Sequence, residues 1–175
     1  KYDSSGFRKP GETQFFTMPV IGGTPRQISN IKPEKRAGQA QWVGNNKVVF
    51  SANLNDDSDY NTNNSEIYIL ELDSGKHKPL TSRNGPDFSP KVSHDNSLIA
   101  YLGYDDEYLG YQQNSIYVMK PDGSKKIKIQ LDLDRNISNI YWSGDNKRIF
   151  FQFDDEGLTK IGSTTLDGKF ESEVN

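Results

Sequence analysis

Side-chain chemistry concentrates in two acidic segments of this chain. The stretch Asn55–Glu66, NDDSDYNTNNSE, sets Asn55, Asp57, Asp59, Asn61 and Glu66 at positions 1, 3, 5, 7 and 12 of a twelve-residue loop. That is the spacing with which oxygen ligands wrap a calcium ion. Position 6 is Tyr60, where such a loop needs glycine for its sharp turn, and β-rich rather than helical sequence flanks it. The plainer reading is a solvated hairpin loop. The stretch Tyr104–Tyr111, YDDEYLGY, places Asp105, Asp106 and Glu107 among three tyrosines. Such carboxylates suit a charge-assisted grip on a cationic group; the plainer reading is a surface loop whose tyrosines pack at a sheet edge. The two histidines, His77 and His94, stand in turn-like sequence, and no Gly-x-Ser-x-Gly elbow is present. A nucleophile with its base is therefore not expected within these residues. Without cysteine there is neither a disulfide nor a thiolate metal site, and no cofactor is expected.

Composition narrows what could position these segments. Hydrophobic residues make up 33% and charged residues 26%, with 9 Tyr and 9 Phe, a balance that suits short strands better than long helices. The 15 glycines and 8 prolines are scattered, which implies many turns instead of one linker. The 21 basic and 24 acidic side chains leave a net charge of −3 with no basic stripe, so a nucleic-acid partner is not expected. No apolar run approaches the roughly 18 residues of a membrane span. Lys1 opens directly into polar sequence, as in a segment cut from a longer chain, with any targeting signal out of view. The compartment stays open between cytoplasm and a periplasmic or secreted location.

The strongest pattern is a repeat. Four stretches read as apolar strand, glycine turn and polar strand, with turn glycines Gly23, Gly75, Gly123 and Gly168 spaced by 52, 48 and 45 residues. The first two align without a gap, Phe15 on Ile67, Ile28 on Leu80 and Ser29 on Thr81. Between them run AQWVGNNKVVFSAN, PKVSHDNSLIAYLG and IYWSGDNKRIFFQF, each an apolar residue (Trp42, Val92, Trp142), a tight polar turn and a β-rich run. The turns Asn45-Asn46, Asp95-Asn96 and Asp145-Asn146 suit hairpins, because Asn and Asp tolerate positive φ.

Each repeat thus holds four short antiparallel strands, which in the middle one fall near Phe88–Val92, Leu98–Gly103, Ser115–Lys120 and Lys126–Gln130. Four strands at this period define a propeller blade, whose sheet buries its faces only against neighbouring blades. The expected fold is all-β: a partial β-propeller of about three and a half blades, with a half blade at 13–30 and blades at 31–82, 83–131 and 132–175. Fewer than four blades do not close, so an open arc is expected, prone to self-association through exposed strand edges. Trp42 and Trp142, at matching places, are expected in the inter-blade core.

SPKVSHDNSLIAY and NSIYVMKPDGS resemble the blades shared by TolB-type and peptidase propellers. YDDEYLGYQQNSIYVMKPDGS, followed by LDLDRNISNIYWSGDNKRIFFQFDDEGLTKIGSTTLDGK, is similar to the propeller of the prolyl oligopeptidase family, in its acylaminoacyl-peptidase branch. The matching features are the step Asp134-Arg135-Asn136-Ile137-Ser138 into a Trp-Ser strand and the turn Asp155-Glu156-Gly157-Leu158-Thr159-Lys160. The opening KYDSSGF and FFTMPVIGGTPRQIS resemble the same branch. The chain departs from the pattern at Asn46, Asn96 and Asn146, which stand where the family's Asp-Gly turns have Gly, and at Val92 in place of Trp.

The resemblance implies a non-catalytic propeller that filters peptide access to a C-terminal α/β-hydrolase domain bearing the catalytic serine. The implied partners are that domain and peptide substrates. In related exopeptidases propeller acids grip a substrate's α-amino group, a role the resemblance would offer to Asp105, Asp106 and Glu107. A TolB-like interaction platform, without any hydrolase, is the alternative.

Overall fold

The structure is a computed structural model that describes residues 13–31 and 37–174. All regular elements of the described residues are strands. A short hairpin, β1 (Phe16–Thr17) and β2 (Arg26–Gln27), precedes three sheets. The first sheet contains β3 (Gln41–Val43), β4 (Lys47–Ala52), β5 (Glu66–Glu71) and β6 (His77–Pro79). The second contains β7 (Asp87–Val92), β8 (Ile99–Gly103), β9 (Ser115–Met119) and β10 (Ile127–Lys128). The third contains β11 (Ile137–Trp142), β12 (Arg148–Asp155), β13 (Leu158–Thr165) and β14 (Phe170–Val174). Every sheet is an antiparallel meander in chain order, which is the construction of a propeller blade. The sheets do not close, and the fold is a partial, open β-propeller.

The two-residue period of a strand explains the stacking. In β4, Val48, Phe50 and Ala52 face the hairpin and pack with Ile28 and Ile31. Val49, with Ile67 and Ile69 of β5, faces the second sheet and meets Ile99, Tyr101, Tyr117 and Met119. The alternation recurs in β8, whose Ala100 and Leu102 face the third sheet and pack with Ile149, Phe151 and Phe153. Inner strands are therefore apolar on both faces, as in Ile67–Leu70, where every residue is buried. Each such side chain contributes about 1.5–3 kcal/mol by leaving water. The core is thus three separate layers, one per seam.

In the second and third sheets the turn between the first two strands carries a device that accounts for its Gly-to-Asn departure, whereas in the first sheet Gly44 takes the positive φ and Asn46 Nδ2 donates to Asp73 Oδ2 at 2.7 Å. Asn96 and Asn146 have φ of 60° and 59°, a conformation Asn adopts more readily than other side-chain-bearing residues. Their side-chain oxygens reach to the preceding sheet: Gly44 N–H donates to Asn96 Oδ1 at 2.7 Å, and His94 N–H to Asn146 Oδ1 at 2.8 Å. Glycine would make the turn but not this link between blades.

The structure corrects one expectation about the core. Trp142 is buried and its indole N–H donates to Lys91 O at 2.9 Å, on β7, the first strand of the preceding sheet. Trp42 is 51% exposed. What precedes its sheet is the two-stranded hairpin, and among the described residues no strand stands where β7 stands for Trp142. The two tryptophans match in sequence and differ in what lies beside them.

Candidate functional site

Loops of 53–65 and 104–114 leave the same end of the first and second sheets, where the connection 80–86 also passes between them. The equivalent turn of the third sheet is tight, with Glu156 and Gly157 both at positive φ (52° and 79°). A network of polar contacts ties the two long loops to the connection. Asp106 N–H donates to Asn84 O at 2.8 Å, and Asn84 Nδ2 donates to Asp106 O at 3.2 Å. Asn63 Nδ2 donates at 3.0 Å to both Tyr104 Oη and Asp106 Oδ2. Gly85, at φ 135°, is where the backbones cross: a Cβ there would run into Tyr104 O and lie 2.7 Å from Asp106 N.

This arrangement separates the three acids of the 104–111 segment. Asp106 points back to the first sheet as a strut, held also by Tyr108 N–H at 2.8 Å. Asp105 and Glu107 instead line an open hollow of about 430 Å³ with Tyr111, Lys128 and Asp134. Asp134, which the sequence offered as part of a motif and not as a binding residue, joins them; its Oδ1 accepts from Gln113 Nε2 at 3.0 Å. Tyr108 and Tyr111 are exposed, so they do not pack on a sheet edge. Two or three carboxylates around one lysine, with a tyrosine ring at the rim, can hold a cationic or polar group by charge-assisted hydrogen bonds.

The 55–66 segment does not come together as a calcium loop. Asp57 O accepts from Tyr60 N–H at 2.8 Å and Asn61 N–H at 2.9 Å, forming a local turn. Asn55 Nδ2 donates to Asn64 O at 3.3 Å. Glu66, the twelfth position, belongs to β5 and is buried, with Oε2 taken by Thr81 Oγ1 at 2.5 Å and Oε1 by Arg83 N–H at 3.0 Å. Among the described residues no group of three or more His, Asp or Glu side chains is gathered as metal ligands. The first residue of an inner strand turns into the seam, which is why Glu66 leaves the loop.

Beneath the loops, Glu66, Thr81, Arg83, Asp87, Tyr101 and Tyr117 form a buried polar cluster at the seam between the first and second sheets. Arg83 Nη2 lies 2.6 Å from Asp87 Oδ1, and its guanidinium sits over the Tyr117 ring at 3.9 Å. Its Nη1 reaches the exposed Asp105 at 3.7 Å. Burial pushes the Asp87 carboxyl up to about 6, against the pull of Arg83. Burial also pushes Glu66 up to about 7, against the Thr81 hydroxyl, and the Asp87 charge adds to the rise. Tyr101 is raised by burial and then by Asp87.

The motifs quoted from the third repeat also meet in space. Arg135 Nε donates to Asp155 Oδ1 at 2.9 Å and Lys160 Nζ to Asp155 Oδ2 at 2.7 Å. The Lys160 hydrogen bond, then that of Arg135, holds the Asp155 carboxyl below the usual range. His77 packs its ring edge-on to Tyr68 at 5.9 Å, and His94 lies in an exposed turn.

The fold is similar to that of the propellers of TolB and of peptidases of the prolyl-oligopeptidase type. No family model matches the chain. Over 106 residues it is 31% identical to dipeptidyl-peptidase 5 of Porphyromonas gingivalis, covering 59% of this chain and 15% of that protein. TolB from Acinetobacter baumannii superposes with a TM-score of 0.68 at 16% identity, over 91% of this chain and 37% of that one. The β-propeller domain of the Trilobed protease from Pyrococcus furiosus, of open velcro topology, gives 0.63 at 15% identity, over 93% of this chain and 48% of that one. The chain therefore spans well under two thirds of each of these proteins.

Proposed function

We propose that this chain is a non-catalytic propeller portion of a serine peptidase, acylaminoacyl- or dipeptidyl-peptidase-like, in which it filters peptide access to a C-terminal α/β-hydrolase domain. The 31% identity to a dipeptidyl-peptidase over 106 residues carries this reading. The hollow lined by Asp105, Glu107 and Asp134 supports a contact with the substrate's α-amino group, with Asp106 positioning the loop. The TolB likeness, a TM-score of 0.68 over 91% of the chain, favours a second reading as an interaction platform. In either setting copies would associate through the exposed strand edges of the open arc. The test is the coding sequence beyond Asn175. A hydrolase domain with a Gly-x-Ser-x-Gly elbow is the expected result; further blades followed by a stop codon would leave the platform reading.

A further inference from the structure

The gapless register of the first two repeats sets Gln14 on Glu66, Ser29 on Thr81 and Ile31 on Arg83, and the structure builds a related clasp at both places. In the first, Ser29 Oγ donates to Gln14 Oε1 at 2.8 Å and Ile31 N–H donates to the same oxygen at 3.0 Å. Phe15 N–H donates to Ser29 Oγ at 2.7 Å, and Gln14 Nε2 donates to Ile31 O at 2.8 Å. In the second, Thr81 Oγ1 donates to Glu66 Oε2 at 2.5 Å, Arg83 N–H donates to Oε1 at 3.0 Å, and Ile67 N–H donates to Thr81 Oγ1 at 2.9 Å.

The second clasp has a carboxyl where the first has an amide, its two contacts fall on different oxygens, and among the described residues it has no counterpart of the Gln14 Nε2–Ile31 O bond. With a proton on Oε2, the 2.5 Å contact is the carboxyl O–H donating to Thr81 Oγ1 while Oε1 still accepts from Arg83 N–H. An amide both donates and accepts, a protonated carboxyl does the same, and an ionised carboxylate only accepts. Glu66 is 5% exposed and Asp87 1%, while Arg83, whose Nη2 lies 2.6 Å from Asp87, is the single guanidinium between them. A second uncompensated negative charge in this seam is expensive. The other charged or titratable groups around Glu66 are Tyr68 on its own strand, Tyr101 and Tyr117 on the facing sheet, and Lys126 and Asp105 at the mouth of the seam.

We propose that Glu66 is a proton-holding latch: neutral, it clasps the connection 81–87 as Gln14 clasps its own repeat, and its ionisation loosens the seam and the acidic loop tethered through Arg83. The sign follows from the burial-raised carboxyl, about 7 when folded against 4.5 ordinarily. The folded chain keeps a proton that the unfolded chain releases in that interval. Stability is therefore full below the ordinary value, falls as pH rises towards 7, and is flat above it. Asp87 contributes in the same direction up to about 6, so the interval above 6 belongs to Glu66.

Thermal unfolding of the full chain across about pH 5 to 8.5 tests this. Glu66→Gln is expected to melt roughly 5 °C or more above the parent at the alkaline end and to flatten the profile above pH 6. Gln14→Glu is the reciprocal variant and is expected to add a new alkaline loss. The latch is overturned if Glu66→Gln melts below the parent at alkaline as well as acid pH, or if Asp87→Asn flattens that interval and Glu66→Gln does not. Should Glu66→Gln fail to fold, carboxyl-13C labelling of the glutamates of the parent decides. One glutamate titrating near neutrality supports the latch, and all titrating in the ordinary range overturns it.

Discussion

Arg83→Ala is expected to destabilise the chain by about 3–5 kcal/mol near pH 7.5, the usual cost of leaving a buried charge without its partner. That is a large part of the roughly 5–15 kcal/mol that holds a domain together. The guanidinium is 2.6 Å from Asp87, which is 1% exposed. It also covers the Tyr117 ring at 3.9 Å, so packing is lost with the charge. Acid should soften the effect. Asp87 already titrates near 6 with Arg83 present, and without the cation its carboxyl moves higher, so around pH 5 it is neutral and the loss shrinks. Urea unfolding at the two pH values measures this. Equal losses at both would show that the guanidinium acts by packing alone. The double variant Arg83→Met, Asp87→Leu should recover most of the stability, because removing both members of a buried pair leaves no charge stranded.

Phe151→Ala should cost about 3–5 kcal/mol, while Phe150→Ala, one residue earlier, should cost roughly 1 kcal/mol. Phe151 is 1% exposed and packs towards the second sheet, with Phe170 at 5.9 Å and Phe153 at 6.0 Å. Its cross-strand partner is Gly162, where an added Cβ would lie 2.7 Å from the Phe170 ring and 3.1 Å from the Phe151 ring. The glycine makes the room that the rings fill, and alanine at 151 leaves a cavity between two sheets. Phe150 points to the opposite face, beyond which no further sheet lies among the described residues, and it is only half-buried. Chemical denaturation of the two variants compares them directly. Equal losses would mean that the third sheet does not depend on stacking against the second.

The repeat was legible because blade strands leave a two-residue pattern and each turn needs residues that tolerate positive φ. The strands expected in the middle repeat lie within a residue or two of β7 to β10, except that Ile127–Lys128 is shorter than its expected span. Asn96 and Asn146 could be read as turn residues, but not as links, since a partner some fifty residues away is invisible to local pattern. Trp42 misled for the same reason: burial depends on the neighbouring sheet, and the sequence position alone matches that of Trp142. Glu66 was drawn into a loop motif by its spacing, although it stands at the first position of an inner strand. The register with Gln14 was the signal that could have placed it, because glutamine in a ligand position of a clasp says that neutrality is acceptable there. Asp105, Asp106 and Glu107 were singled out as a trio, and only the backbone path through Gly85 separates the strut from the two acids that face the hollow.

The most direct test of the functional reading is to label the full-length protein with a fluorophosphonate, which reacts with an activated serine nucleophile, and to map the modified residue. The account predicts a single modified serine outside residues 1–175, with the isolated chain unlabelled. A label on a serine within these residues, or a full-length protein with no reactive serine, would contradict it.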